Sequence, residues 1–390
     1  MRNLGPKLAA GAFAGFLLCF SAFSMALPEK GFSESENRYL QKKPDFTISG
    51  LLDGSFGEDY EAYLGDQFPM RDRLVGLKVL TEQFQGKKDV NGVYLAKDGY
   101  LIEKFDREEI EGEQLNKNLA VLTGFVREMA ESLGKEHVRI LMAPSASQVL
   151  TDQLPAFAAP YDQSQVTERL EKMLEEERFT GLMVPAESAL REEHPEQLYY
   201  RTDHHWTADG AYYAYRSWAE SIGLKPWGRE MFEETIVTEE FYGTVYSKVN
   251  VPCRPDSIKL FLPKETVKYE VTYDGLPQVF DSLYQENALK GKDKYSVYLD
   301  GNHGLTQIRN LNAGTKGRGK HLMIVKDSFA HSFAPFAVNH FETVTMVDLR
   351  YFNKSAGAFA RENGVTDLLV LYQIPGFSGE TAVSKLSWQG

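Results

Sequence analysis

The amino-acid sequence predicts an α/β fold built on a parallel sheet, on three observations. From about Glu113 onward, stretches with helical apolar spacing alternate with short apolar runs. The runs His321–Val325, Thr343–Val347 and Asp367–Tyr372 are nearly continuously apolar, as strands covered on both faces must be. With 390 residues, 43% of them hydrophobic and 25% charged, the chain holds enough apolar material for one large core.

Arg2 and Lys7 precede an uncharged, mainly apolar stretch from Leu8 to Leu27, the layout of a segment that enters a membrane. Residues 1–27 are therefore expected to be a signal peptide, with Ser24-Met25-Ala26 as its cleavage site, or an N-terminal membrane anchor. Export follows in either case, to a secreted or membrane-anchored location outside the cytoplasm. Residues 28–37, rich in polar and turn-forming types, read as a linker, and residues 38–390 as one folded domain.

Phe56 to Leu80 carries helical spacing on both sides of Asp66-Gln67-Phe68-Pro69 and predicts a helix-turn-helix. Val90 to Ile102 predicts a hairpin around Asp98-Gly99. Leu115, Leu119, Leu122, Val126, Met129 and Leu133 mark one face of a helix that Gly134 ends, and Val138–Ala143 follows as a strand. A Glu-rich helix over Val166–Glu177 and a strand over Leu182–Val184 form a second such unit. Residues 230–281 have β character, with strands expected at Ile258–Leu262 and Val267–Tyr273, and read as an insertion.

The net charge of −12 would repel a phosphate backbone, so nucleic acid is not an expected partner. Of the two cysteines, Cys19 lies in the apolar leader, so Cys253 has no partner for a disulfide and no second thiol for a metal site.

The densest chemistry lies in the run from Tyr199 to Gly210, where an acid and two of the eight histidines sit among large aromatics. Thr207 is placed to cap a following helix. In an extended loop Asp203 and His205 project to one side and His204 to the other. Asp203 then orients the His205 imidazole, which acts as general base. A metal site would need further ligands, for which His303 and Asp209 are the candidates, and none is assigned. The base needs a nucleophile, and Ser328 follows the apolar run Met323–Val325 at a strand-to-helix junction. A serine there stands at the carboxyl edge of a sheet, near N–H groups that stabilise an oxyanion. Gly301 and Asn302 are expected to complete that oxyanion hole with Ser328. Trp206, Arg350 and Tyr351 are expected to bind substrate.

The run Asp203-His204-His205-Trp206 resembles the motif of the DHHW proteins, which are relatives of the alginate O-acetyltransferases. The likeness extends to Glu34-Ser35-Glu36-Asn37-Arg38, Asp66–Arg71, Asp98–Leu101 and Asp327-Ser328-Phe329. It implies an SGNH hydrolase-like, flavodoxin-like three-layer parallel sheet, with the β-rich insertion at about 230–281. In those acetyltransferases an Asp-x-His precedes a late serine, which implies Asp203, His205 and Ser328 as a catalytic triad. Two departures are Lys326, where glycine is usual, and the lack of an evident C-terminal carbohydrate-binding module. The implied activity is O-acetyl transfer, without cofactor or metal, to a cell-surface or secreted polysaccharide or oligosaccharide. A multi-pass membrane O-acyltransferase would supply the acyl group. A carbohydrate acetylesterase with the same triad and a non-catalytic polysaccharide-binding protein of the cell envelope are the alternatives.

Overall fold

A computed structural model describes residues 4–33, 38–192, 194–315 and 317–388. The expected motif residues Glu34 to Asn37, and the side chain of Arg38, lie outside the described residues. The chain forms two compact units: Met1–Gly86 with Ser247–Pro252, and Lys87–Tyr246 with Cys253–Gly390.

In the first unit the helix Leu4–Ala26 contains one stretch, Lys7–Ser24, long and apolar enough to cross a membrane. The helices Ser55–Asp66 and Arg71–Phe84 are separated at the Gln67–Met70 break, where Met70 adopts a left-handed conformation with φ 57°. Gly76 needs its missing side chain, because a Cβ there would lie 2.4 Å from the Asn250 carbonyl oxygen.

The second unit opens with a three-stranded antiparallel meander over residues 89–103, with Asp98 and Gly99 at positive φ in its turn. The main body then runs in order through α1 (Glu113–Leu133), β1 (Val138–Ala143), α2 (Ser164–Glu176), α3 (Ala208–Ser221), β2 (Tyr269–Tyr273), β3 (Leu305–Asn310), β4 (His321–Lys326), α4 (Ala330–Ala337), β5 (Thr343–Val347), α5 (Ala356–Glu362) and β6 (Asp367–Gln373). In α1 the residues Leu115, Leu119, Leu122, Val126 and Met129 are buried, and Gly134 stops the helix at φ 93°. In α2 the buried face is Val166, Leu170 and Leu174, at i, i+4 and i+8, while the Glu and Lys residues take the opposite face.

The sheet order is β1-β6-β4-β5-β3-β2. β1, β6, β4 and β5 are mutually parallel, whereas β3 runs antiparallel to β5 and to β2. The expected parallel sheet is therefore corrected to a mixed one, with a parallel part of four strands. The stretch that makes it mixed, Leu305–Asn310, has only two large apolar residues in six and escaped the search for apolar runs. The expected strand Leu182–Val184 is reduced to a bridge of Met183 with Ile140 at the outer edge of β1. The β-rich stretch 230–281 contributes an antiparallel pair, Phe232–Phe241 with Asp256–Pro263, and the edge strand β2.

Every residue of β1, β4 and β6 is buried, because alternate side chains enter two different cores. Leu322 and Ile324 of β4 face one core together with α3 and α4. Met323 and Val325 face the other with α1, α2 and α5. The crossover from β4 to β5 thus uses a helix on one face, and that from β5 back to β6 uses a helix on the other. The adjacent strands β4 and β6 are thus followed by helices on opposite faces, which leaves a crevice at their carboxyl ends. Leu369, at the centre of β6 and fully buried, tests this packing. Leu369→Ala is expected to lower unfolding stability by about 2–5 kcal/mol, read as a fall in the denaturant midpoint.

Candidate active site

The chain from Leu198 to Thr207 doubles back on itself, with Tyr199 bridging Trp206 and the Thr207 N–H donating to Leu198 O at 2.9 Å. Gly210 is required beneath this loop, since a Cβ would lie 2.3 Å from Leu198 O. Thr207 caps α3, its hydroxyl accepting from the Gly210 N–H at 3.2 Å. The buried Asp256 carboxylate accepts from the backbone N–H groups of Arg201 and Thr202 and from the side chains of Thr202 and Gln197. Burial raises its pKa against the pull of those bonds. These contacts hold the loop without regular structure, as a buried backbone requires.

Asp203 lies within that frame and is 3% exposed. Its Oδ1 accepts from His205 Nδ1 at 2.5 Å and from the His205 backbone N–H at 3.0 Å. Its Oδ2 accepts from the Thr244 N–H at 2.8 Å and the Thr244 hydroxyl at 3.1 Å. Gly243 is fitted against the same carboxylate: a Cβ there would meet Asp203 Oδ2 at 2.2 Å. Burial opposes ionisation of Asp203, but His204, His205 and these hydrogen bonds hold its pKa well below the usual carboxylate range. An ionised carboxylate only accepts, so the proton of His205 stays on Nδ1 and Nε2 is left as acceptor.

His205 Nε2 lies 2.7 Å from Ser328 Oγ. The imidazole stacks on Tyr295 with ring centroids 3.8 Å apart and an interplanar angle of 11°. Burial and the neighbouring His204 push the His205 pKa down, against the opposing influence of Asp203. His204 does not project away as an extended loop predicts. The bond from the His205 N–H to Asp203 Oδ1 curls the backbone, so the two imidazoles lie 3.8 Å apart and His204 Nδ1 reaches the Thr244 hydroxyl at 2.7 Å.

Ser328 sits two residues beyond β4 and two before α4. Its turn is pinned by Asp327, whose carboxylate accepts from the Phe329 N–H at 2.9 Å and the Gln373 N–H at 2.7 Å. Lys326 is buried beneath the turn, with Nζ 2.7 Å from His331 Nε2 and 3.0 Å from Asp348 Oδ2. Burial pushes the Lys326 pKa down, with Asp348 opposing. Asp348 also accepts from Arg350 Nε at 2.9 Å and Nη2 at 2.6 Å. Arg350 is thereby aimed at a cleft of about 140 Å³ that it lines with Ser328, His204, Tyr372 and Gln373.

The structure thus brings Asp203, His205 and Ser328 together and places Arg350 beside them. Tyr351 is exposed, with the Arg350 guanidinium 5.4 Å from its ring centroid. Trp206 is fully buried and donates from Nε1 to Phe329 O and Ser332 Oγ, both at 3.0 Å. The expected substrate contact at Trp206 is therefore corrected: its ring packs the core and props the serine turn. Gly301 and Asn302 do not line the cleft. Asn302 instead accepts from Arg350 Nη2 at 3.0 Å, and Gly301, at φ 75°, turns the chain against Ser296. Asp203, His204 and His205 bring one ligand atom each within 4.8 Å of one another. The further candidate ligands are engaged elsewhere, His303 with Asp274 and Asp300, and Asp209 with Arg229 and Lys259.

The family model for the DHHW protein matches residues 122–347. The chain belongs to the DHHW family. Its motif Asp-His-His-Trp is the run whose third residue meets Ser328, whose first holds that histidine and whose fourth is buried beneath the serine turn. Among solved structures, a DHHW family protein from Eubacterium siraeum is 23% identical, with a TM-score of 0.61 over 76% of this chain and 95% of that one. Bacillus cereus PatB1, solved with a sulfonyl adduct, is 17% identical, with a TM-score of 0.57 over 76% of this chain and 100% of that one. These likenesses establish a shared fold. No curated protein sequence matches the DHHW chain significantly.

Sequence reasoning assigned no role to Thr244, Tyr295, Gly243 and Ser332. Each is an ordinary residue whose partner lies on a distant segment, Thr244 and Gly243 at Asp203, Tyr295 at His205 and Ser332 at Trp206, and its type alone carries no signal. Gly243→Ala is expected to push the Asp203 carboxylate off His205. The low-field proton resonance of the Nδ1–H to Asp203 bond should then be lost, in a chain that circular dichroism shows to be folded.

Proposed function

We propose that this DHHW protein is a Ser-His-Asp acyltransferase that O-acetylates a cell-surface or secreted polysaccharide, with Ser328 as nucleophile, His205 as general base and Asp203 as orienting acid. The observation that carries this reading is His205, held at 2.5 Å by Asp203 on one ring nitrogen and 2.7 Å from the Ser328 hydroxyl on the other. That geometry lets Oγ attack an acyl carbonyl carbon while its proton passes to His205 Nε2. The tetrahedral intermediate collapses as the donor's alkoxide leaves with that proton, and an acyl-serine remains. An acceptor hydroxyl then gives its proton to His205 as it attacks the acyl carbon, and Ser328 leaves and regains a proton. A sugar hydroxyl in the second step gives transfer, and water gives the esterase reaction.

The sugar acceptor is supported by the likeness to the alginate O-acetyltransferases and by the apolar N-terminal helix, read as a signal peptide or membrane anchor that places the enzyme outside the cytoplasm. Arg350 and Tyr351 are read as the acceptor-binding pair, one in the cleft and one exposed beside it. Asn302 acts in this reading through Arg350, and Gly301 through the shape of its turn, not on the oxyanion. The α/β sheet with its nucleophile at a strand end is read as SGNH hydrolase-like. A membrane O-acyltransferase is the proposed source of the acyl group, since acetyl donors are made in the cytoplasm.

Two measurements test the reading. Given 4-nitrophenyl acetate, the wild-type chain should turn over and show an acetyl-serine adduct by mass spectrometry. Ser328→Ala and His205→Ala should each lose about 10⁴-fold or more in kcat, as members of a unit that fails together. A folded wild type with neither turnover nor adduct would count against catalysis and for a binding role. The second measurement is the pH profile of kcat/KM. Acylation needs His205 neutral, and its pKa lies below the ordinary histidine value. Activity should therefore hold level through neutrality and fall only in acid below that value; a fall centred at or above it would contradict the assignment.

A further inference from the structure

Gln373 ends β6 beside the serine turn and lines the cleft, and its side-chain NH₂ is left unpaired among the described residues. Residue 373 is 6% exposed, and its Nε2 is buried with no hydrogen-bond partner among the described residues. Such an unpaired buried donor is destabilising. Its position relative to Ser328 is nonetheless tightly set. Leu371 pairs with Lys326 across the sheet, and the Gln373 N–H is bonded to the carboxylate of Asp327, the residue before the serine. Gln373 lines the same cleft as Ser328 and Arg350. The Arg350 Nε and Nη2 donors are engaged with Asp348 and Asn302.

The backbone around the serine has a matching gap. The N–H groups of Asp327, Phe329, Ala330 and His331 are each hydrogen-bonded, to Leu371 O, Asp327 Oδ1, Asp327 O and Ser328 O. That of Ser328 has no partner among the described residues. Attack by Ser328 Oγ turns the carbonyl oxygen of the acyl group into an oxyanion, and such an oxygen is stabilised by preset donors. The terminal torsion of a glutamine is broad and two-fold, so the amide turns its NH₂ into the cleft without strain.

We infer that the Gln373 carboxamide, with the Ser328 backbone N–H, donates to the carbonyl oxygen of the acyl group and to the oxyanion it becomes. This rests on the acyl-transfer reading of Ser328. It also fills the role expected of Gly301 and Asn302, which lie outside the cleft.

The test compares full-length wild type, Gln373→Leu and Ser328→Ala on 4-nitrophenyl acetate, together with unfolding midpoints. Gln373→Leu removes the amide and keeps the bulk and the backbone N–H that holds Asp327. Loss of one oxyanion donor lowers kcat by about 10² to 10³-fold. KM and the acid limb of the pH profile should stay unchanged, because His205 is untouched. The unfolding midpoint should hold or rise, because an unpaired buried donor has been removed, whereas a merely structural glutamine would lower it. Wild-type kcat in Gln373→Leu, with Ser328→Ala inactive, overturns the inference and leaves the acyl-transfer reading standing. A drop in kcat that tracks a drop in the unfolding midpoint also overturns it. Wild-type turnover matched by Ser328→Ala removes the reading itself, and the inference with it.

Discussion

His205 and Ser328 are 123 positions apart in the chain, and the 2.7 Å contact between them is the constraint that the surrounding structure serves. Neither group has a fixed position of its own: one is on an irregular loop, the other on a turn. Ordering two such segments costs conformational entropy that a single hydrogen bond, at about 1 kcal/mol net, does not offset. The placement therefore comes from the supports on each side. The loop is held by the buried Asp256 carboxylate and by the cap of α3, and the turn by Asp327 and the two strands that flank it.

Trp206 joins the two supports. Its indole N–H reaches across to Phe329 O and Ser332 Oγ, and its ring meets Phe329 edge-on at 5.1 Å. A tryptophan immediately after His205 thus fixes the distance from loop to turn, which explains why a large buried aromatic follows two polar histidines. Tyr295 acts similarly from a third segment, stacking on His205 and bonding Ser332 Oγ at 3.0 Å. The His205 ring is in this way confined by Tyr295 and His204 and held at both nitrogens.

Lys326 shows how the departure from the usual glycine is accommodated. A charge buried to 1% exposure is unfavourable unless paired, and Asp348 pairs it while His331 Nε2 takes a second bond. Because Asp348 also holds Arg350, the buried pair sets the direction of the guanidinium at the cleft. The lysine thus belongs to the scaffold of the site. No property of the triplet Lys-Asp-Ser in isolation would reveal that, since the partners come from the helix that follows and from the far end of β5.

The apolar runs of β1, β4, β5 and β6 and the helical stripes of α1 and α2 were legible in the sequence because burial on two faces, or on one stripe, leaves a periodic signature. Asp203, His205 and Ser328 were legible as candidates for a related reason: an Asp-x-His step among aromatics and a serine at the end of an apolar run are local patterns. β3 was not, since a half-exposed edge-region strand lacks the continuous apolar run that marked the others. Only the tertiary structure decided that the sheet is mixed, that Trp206 is a prop, that Gly301 and Asn302 stand outside the cleft and that Gln373 stands inside it. Those facts depend on which distant segments meet, and contacts between distant segments leave no period in a single chain.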